Sequence, residues 1–135
     1  PPPPAEPPPA EPPARRPRAG DALNLSILLD LHKLRPQGVQ ELVENFLAGA
    51  ERRVEAIQRS AERADSLGLE RAAHSLKGSC GTLGAMRMAQ LCARLVEKAR
   101  GGETDAAQAD VEALVVEHGR VQEAFGRQLE EWTSR

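Results

Sequence analysis

From Val39 to Ala61 apolar side chains return every three or four residues, at Val39, Leu42, Val43, Phe46, Leu47, Ala50, Val54, Ile57 and Ala61. At roughly 100° of turn per residue, that recurrence falls on one face only if the segment is a single long helix, expected over Gln37 to about Ala64. A one-sided stripe must be buried against something. The same spacing supplies the partners, at Leu69, Ala72, Ala73, Leu76, Cys80 and Leu83, then at Met88, Leu91, Cys92, Leu95 and Ala99. A last stripe runs Val111, Leu114, Val115, His118, Val121, Phe125, Leu129 and Trp132. Turn signals separate the stripes: Asp65 to Gly68, Gly84, and Gly101-Gly102. Ser66 is the expected N-cap of the second long helix, Gly84 its left-handed C-terminal residue, and Asp105 with Gln108 the capping pair of the last. Four long helices joined by short turns predict an all-α, antiparallel up-down four-helix bundle. A short additional helix precedes it, carrying Leu25, Leu28, Leu29 and Leu31, capped by Asp21 or Asn24 and ended at Arg35-Pro36.

Composition agrees: there is no Tyr, only two Phe and one Trp, and Ala, Leu, Glu and Arg outweigh the β-branched residues. Ten of the eleven prolines crowd into the first 17 residues. Such a tract forms no packed element and favours extended polyproline II, so residues 1-20 read as a flexible Pro-rich linker and residues 21-135 as one domain. The chain starts on Pro, which suggests a segment of a larger protein. A formal charge of -2, with both signs interspersed, leaves no basic surface for a phosphate backbone, so no nucleic-acid partner is expected. No apolar run reaches the roughly 20 residues of a membrane span and no signal peptide is visible, so a cytoplasmic segment without membrane contact is expected. Cys80 and Cys92 fit no metal-ligand spacing and read as reduced core residues.

His74 breaks the pattern. On the helical wheel it lies roughly 150° from the centre of its helix's stripe, with Gly78 and Gly81 beside it and Lys77 on its flank. Mid-helix glycine costs about 1 kcal/mol relative to alanine, so two of them on an exposed face suggest clearance for a visitor. A neutral imidazole offers a nitrogen nucleophile, and the ammonium one turn away can meet an anion on it. The three together suit acceptance of a phosphoryl group from a docked partner.

The string His74-Ser75-Leu76-Lys77-Gly78-Ser79, followed by Leu83-Gly84-Ala85, resembles the motif of histidine-containing phosphotransfer (HPt) domains of multistep two-component signalling. The likeness continues through Leu91-Cys92 and Leu95, and the four-helix layout covers roughly residues 25 to 130. It implies that His74 takes a phosphoryl group on Nε2 from a receiver-domain aspartate and passes it to a response-regulator receiver, with Lys77 steadying the charge and Gly78 admitting the partner. It further implies that the receiver brings Mg²⁺ and that the domain needs no cofactor of its own. The parent is expected to be a hybrid sensor histidine kinase with this domain at its C-terminus. Twenty-two residues after the histidine many members carry a Glu or Gln that hydrogen-bonds the imidazole; here an ungapped count reaches Val96, with Glu97 next.

Weaker candidates surround this site. Arg87 is expected to join Gly78 and Gly81 in meeting an acidic receiver, while Arg94, Lys98 and Arg100 read as a solvated face. His118 reads as a packed, hydrogen-bonded core histidine and His32 as a surface residue or C-terminal cap. The three histidines share no metal-ligand spacing, and the glycines match no nucleotide-binding fingerprint. The alternative function is the phosphoacceptor domain of a chemotaxis-type histidine kinase, fed by an ATP-binding domain. The position of the linker ahead of the bundle favours the relay. A monomer is expected, since one chain supplies four amphipathic helices.

Overall fold

The computed structural model describes residues 25–134; the Pro-rich tract and the candidate caps Asp21 and Asn24 lie outside the described residues. Five helices follow in chain order: α1 (Leu25–Leu34), α2 (Pro36–Glu62), α3 (Ser66–Leu83), α4 (Met86–Arg100) and α5 (Gln108–Thr133). Helix α2 packs on α3, α3 on α4, α4 on α5 and α5 back on α2, which closes an antiparallel ring of four. Helix α1 lies against α2 and buries Leu28 completely.

The core is built from the expected stripes. Val43, Ala50 and Ile57 of α2 meet Leu69, Ala73, Leu76 and Cys80 of α3, Met88, Cys92 and Leu95 of α4, and Leu114, Val121 and Phe125 of α5, all at 5 % exposure or less. Phe46 and Phe125 join α2 to α5 edge to face, with ring centroids 5.6 Å apart. Two stripe members sit at its margin: Leu42 and Val115 are exposed.

Three helices end in the same way. Within two residues of the end of α2, α3 and α4 the backbone turns left-handed, at Ala64 (φ 54), Gly84 (φ 77) and Gly102 (φ 71). The next amide then reaches back five residues, Asp65 to the Ser60 carbonyl, Ala85 to Cys80 and Glu103 to Lys98, at 2.8–2.9 Å. The motif leaves tight connections at 63–65 and 84–85, whereas α4 and α5 are joined by the longer segment 101–107.

Two caps differ from expectation. The N-cap of α3 is Asp65, whose carboxylate accepts the Gly68 amide at 3.0 Å, and Ser66 is already helical. Gly68 is needed for that closeness, since a Cβ there would stand 2.4 Å from the other Asp65 oxygen. Helix α5 starts at Gln108 after a run of turns, with Ala107 at its N-cap and no side-chain cap, so Asp105 and Gln108 form no capping box. Gln108 instead donates to the Ala61 carbonyl of α2 at 3.5 Å.

Alanine in the left-handed region costs about 1 kcal/mol relative to glycine. Ala64→Gly should therefore raise stability by about 0.5–1 kcal/mol and Gly84→Ala lower it by about 1 kcal/mol, read from urea unfolding midpoints at unchanged slope.

Candidate functional site

Burial of Leu69, Ala73, Leu76, Cys80 and Leu83 fixes the rotation of α3 about its axis. His74 then faces solvent, and among the described residues nothing hydrogen-bonds or ion-pairs with its ring. Gly78 and Gly81 flank it with open space: a Cβ added to either would meet nothing within 4 Å. Lys77 is also exposed and forms no ion pair among the described residues. On the wheel of α3 it lies roughly 60° from His74, on the side away from Ser75. The sequence-derived group of His74, Lys77, Gly78 and Gly81 thus occupies one outward face of one helix.

The opposite flank holds a residue that the spacing did not single out. Arg53 of α2 reaches across to α3 and donates Nε–H to Ser75 Oγ at 2.8 Å, beside the histidine in sequence. Room for its guanidinium comes from the buried Gly49, where a Cβ would stand 2.6 Å from Arg53 Nη1. The available signal was a glycine inside the apolar stripe of α2, one turn before an arginine. Beyond Arg53 a groove of about 280 Å³ runs between α2 and α3, lined by Leu42, Asn45, Phe46, Ser79, Thr82 and Leu83 with Arg53 at its end.

Other candidates are placed elsewhere. Arg87 leans over α5, its Nε 3.8 Å from the Glu117 carboxylate, which is 2 % exposed and also faces Arg120. Arg94 and Arg100 are solvated as expected and Lys98 is half-buried, but all three are also paired: Lys98 bonds the buried Asp110 at 2.6 Å, Arg94 approaches it at 3.6 Å, and Arg100 bonds Glu70 of α3 at 2.8 Å. Val96 is buried and Glu97 exposed, so neither supplies a hydrogen bond to the imidazole. His32 is neither a free surface residue nor a cap. Its ring stacks on Trp132 at 4.0 Å, and its Nε2 is buried without a partner.

His118 is packed as expected, but its Nε2 has no hydrogen-bond partner. Burial pushes its pKa below 6.5, partly offset by the Glu51 carboxylate. Burial likewise pushes Cys80 and Cys92 up to about 12, which keeps both as thiols. Among the described residues no three His, Cys, Asp or Glu side chains gather as metal ligands, and no helix is long and apolar enough to cross a membrane.

A family model, the Hpt domain, matches residues 41–131, which span the whole four-helix ring from early α2 to late α5. The chain belongs to the HPt family. Its fold is similar to that of histidine-containing phosphotransfer protein B (HptB) from Pseudomonas aeruginosa PAO1, with a TM-score of 0.77 and 27 % identity over 82 % of this chain and 96 % of that one. The HPT domain of an Hpt sensor hybrid histidine kinase from Shewanella has the same fold, with a TM-score of 0.72 and 20 % identity over 82 % and 96 %. No curated protein matches the sequence. As an HPt domain the chain has a histidine phosphotransfer role in phosphorelays, and its partners are receiver domains.

The buried His118 gives this HPt domain a pH signature. As pH falls through about 6.5 the unfolded chain takes up a proton on this residue that the folded state, with its lower pKa, refuses. Stability should therefore drop from pH 7.5 to pH 5.5, and the drop measured by urea unfolding should be smaller in His118→Leu.

Proposed function

We propose that this HPt domain carries the phosphoryl group on His74 Nε2, taking it from a receiver aspartate and delivering it to a response-regulator receiver. The observation that carries this reading is the outward, unclaimed imidazole of His74 between two glycines that leave its surroundings open. The Nε2 lone pair attacks phosphorus while Nδ1 keeps its proton. The P–O bond to the aspartate breaks, its electron pair returns to the carboxylate, and the new P–N bond leaves a cationic phosphoimidazole ring. Delivery reverses the sequence at a second aspartate. Lys77 faces the phosphoryl charge, and an ammonium there favours the phosphorylated form.

The domain supplies nucleophile and electrostatics; the Mg²⁺ belongs to the receiver's acidic pocket, and no cofactor is held by the HPt side. The groove between α2 and α3 and the open flank at Gly78 and Gly81 offer the receiver an apolar and unobstructed landing face. Arg87, held over Glu117, would reach the receiver only from the α4 edge of that face. We place the domain in a cytoplasmic segment of a hybrid sensor histidine kinase, acting as a monomer, with the Pro-rich tract as the tether that sets the effective concentration of a linked receiver.

Incubation with a phosphorylated receiver should give acid-labile, alkali-stable label that is absent in His74→Gln. Label obtained only from a kinase catalytic core with ATP, and from no receiver, would contradict the relay. Lys77→Ala should slow transfer about tenfold while changing stability by less than about 0.5 kcal/mol, because the side chain is exposed. Gly78→Gln should block receiver docking while leaving helicity intact, checked by receiver affinity and circular dichroism.

A further inference from the structure

Arg53 differs from the other arginines that bridge two helices. Arg87, Arg94 and Arg100 each meet a carboxylate, whereas Arg53 meets only the neutral hydroxyl of Ser75. Among the described residues it forms no ion pair, and neither Nη group has a hydrogen-bond partner. It is half-buried, unlike its neighbour Arg52 and Arg59 further along α2, so its charge is held against α3 by Gly49, whose missing side chain leaves the slot it occupies. On the wheel of α3, Ser75 lies roughly 100° to one side of His74 and Lys77 roughly 60° to the other. Three cations without an ion pair among the described residues therefore lie around one solvent-facing imidazole, Arg71 and Lys77 from α3 itself and Arg53 from α2, and of these Arg53 is the one held in place by a hydrogen bond.

We propose that Arg53 is a second phosphoryl-contacting cation of this domain, parked on Ser75 while His74 is free and turned onto the phosphoryl oxygens once His74 is phosphorylated. The inference rests on His74 being the acceptor. A planar guanidinium with free Nη donors can grip phosphoryl oxygens through two parallel hydrogen bonds in which both partners are charged, whereas its bond to Ser75 joins the charge to a single neutral acceptor. The serine bond is thus strong enough to hold the side chain and weak enough to be exchanged. Arg53 leaves the covalent step unchanged; it stabilises the product anion, and so sets how the phosphoryl group is shared between receiver and HPt domain.

That sharing is the measurement. The domain and a phosphorylated receiver are equilibrated at concentrations below complex formation, and the phosphorylated fraction of each is determined, so that docking affinity does not enter. Arg53→Gln should move the equilibrium about five-fold toward the receiver, Arg53→Lys should recover part of the shift, and Arg59→Gln should leave it unchanged. Ser75→Ala, which removes the parking bond only, should leave the equilibrium at the wild-type value or favour the phosphorylated domain. In the wild type, the Arg53 side-chain NMR resonances should move on phosphorylation while those of Arg59 stay. A wild-type equilibrium in Arg53→Gln, with Lys77→Ala still shifted, would overturn the role of Arg53 and leave His74 as acceptor. A shift in Ser75→Ala equal to that of Arg53→Gln would also overturn it, reducing Arg53 to a support for Ser75. Failure of the wild type to take any phosphoryl group on His74 would instead remove the acceptor assignment itself.

Discussion

The site depends on the burial of one face of α3 between α2 and α4. Leu69, Ala73, Leu76 and Cys80 are fully enclosed and Leu83 is 2 % exposed, so turning the helix by even one position would bring polar Glu70, Lys77 or His74 toward the core and carry leucines into water. Full burial of a leucine is worth about 2 kcal/mol, and three of them on one 18-residue helix hold its rotation firmly. Everything chemical on the opposite face inherits that rigidity. His74 is exposed because its neighbours are buried, and it can be a nucleophile on a fixed platform without any bond to its own ring.

The distribution of charge follows the same division. On α4 and α5 several cations are consumed by structure: Lys98 and Arg94 gather on Asp110, Arg87 and Arg120 face Glu117, and Arg100 ties α4 to α3 through Glu70. Asp110 and Glu117 are nearly inaccessible, so the cations beside them offset a desolvation cost instead of serving a partner. Lys77 and Arg53 differ. Lys77 is exposed and Arg53 rests on a hydroxyl, so positive charge stays available for an incoming anion. A family whose role is histidine phosphotransfer needs such a reserve, because the group it carries arrives with its charge.

What could be read from the amino acids was whatever repeats with the helix. The stripes named the core, the glycines at 84 and 102 marked two of three left-handed helix ends, and the outward position of His74 followed from wheel geometry alone. Ala64 hid the third end, because alanine carries no sign that its backbone is left-handed. Ser66 and Asp105 misled for a related reason: several polar residues next to a helix start can cap it, and only the local backbone chooses among them, here Asp65 for α3 and none for α5. Contacts between helices were invisible. The stack of His32 on Trp132 joins residues a hundred positions apart, and the pairing of Arg53 with Ser75 or of Lys98 with Asp110 depends on the vertical register of neighbouring helices, which no single stripe encodes.

The account stands or falls on which ring nitrogen bears phosphorus. The domain, labelled with ¹⁵N at its three histidines and phosphorylated by a receiver, can be studied by NMR for coupling between phosphorus and imidazole nitrogen. One coupled site is predicted, His74 Nε2, with the nitrogens of His32 and His118 unaffected. Coupling at either of those two residues, or at none of the three, would contradict it.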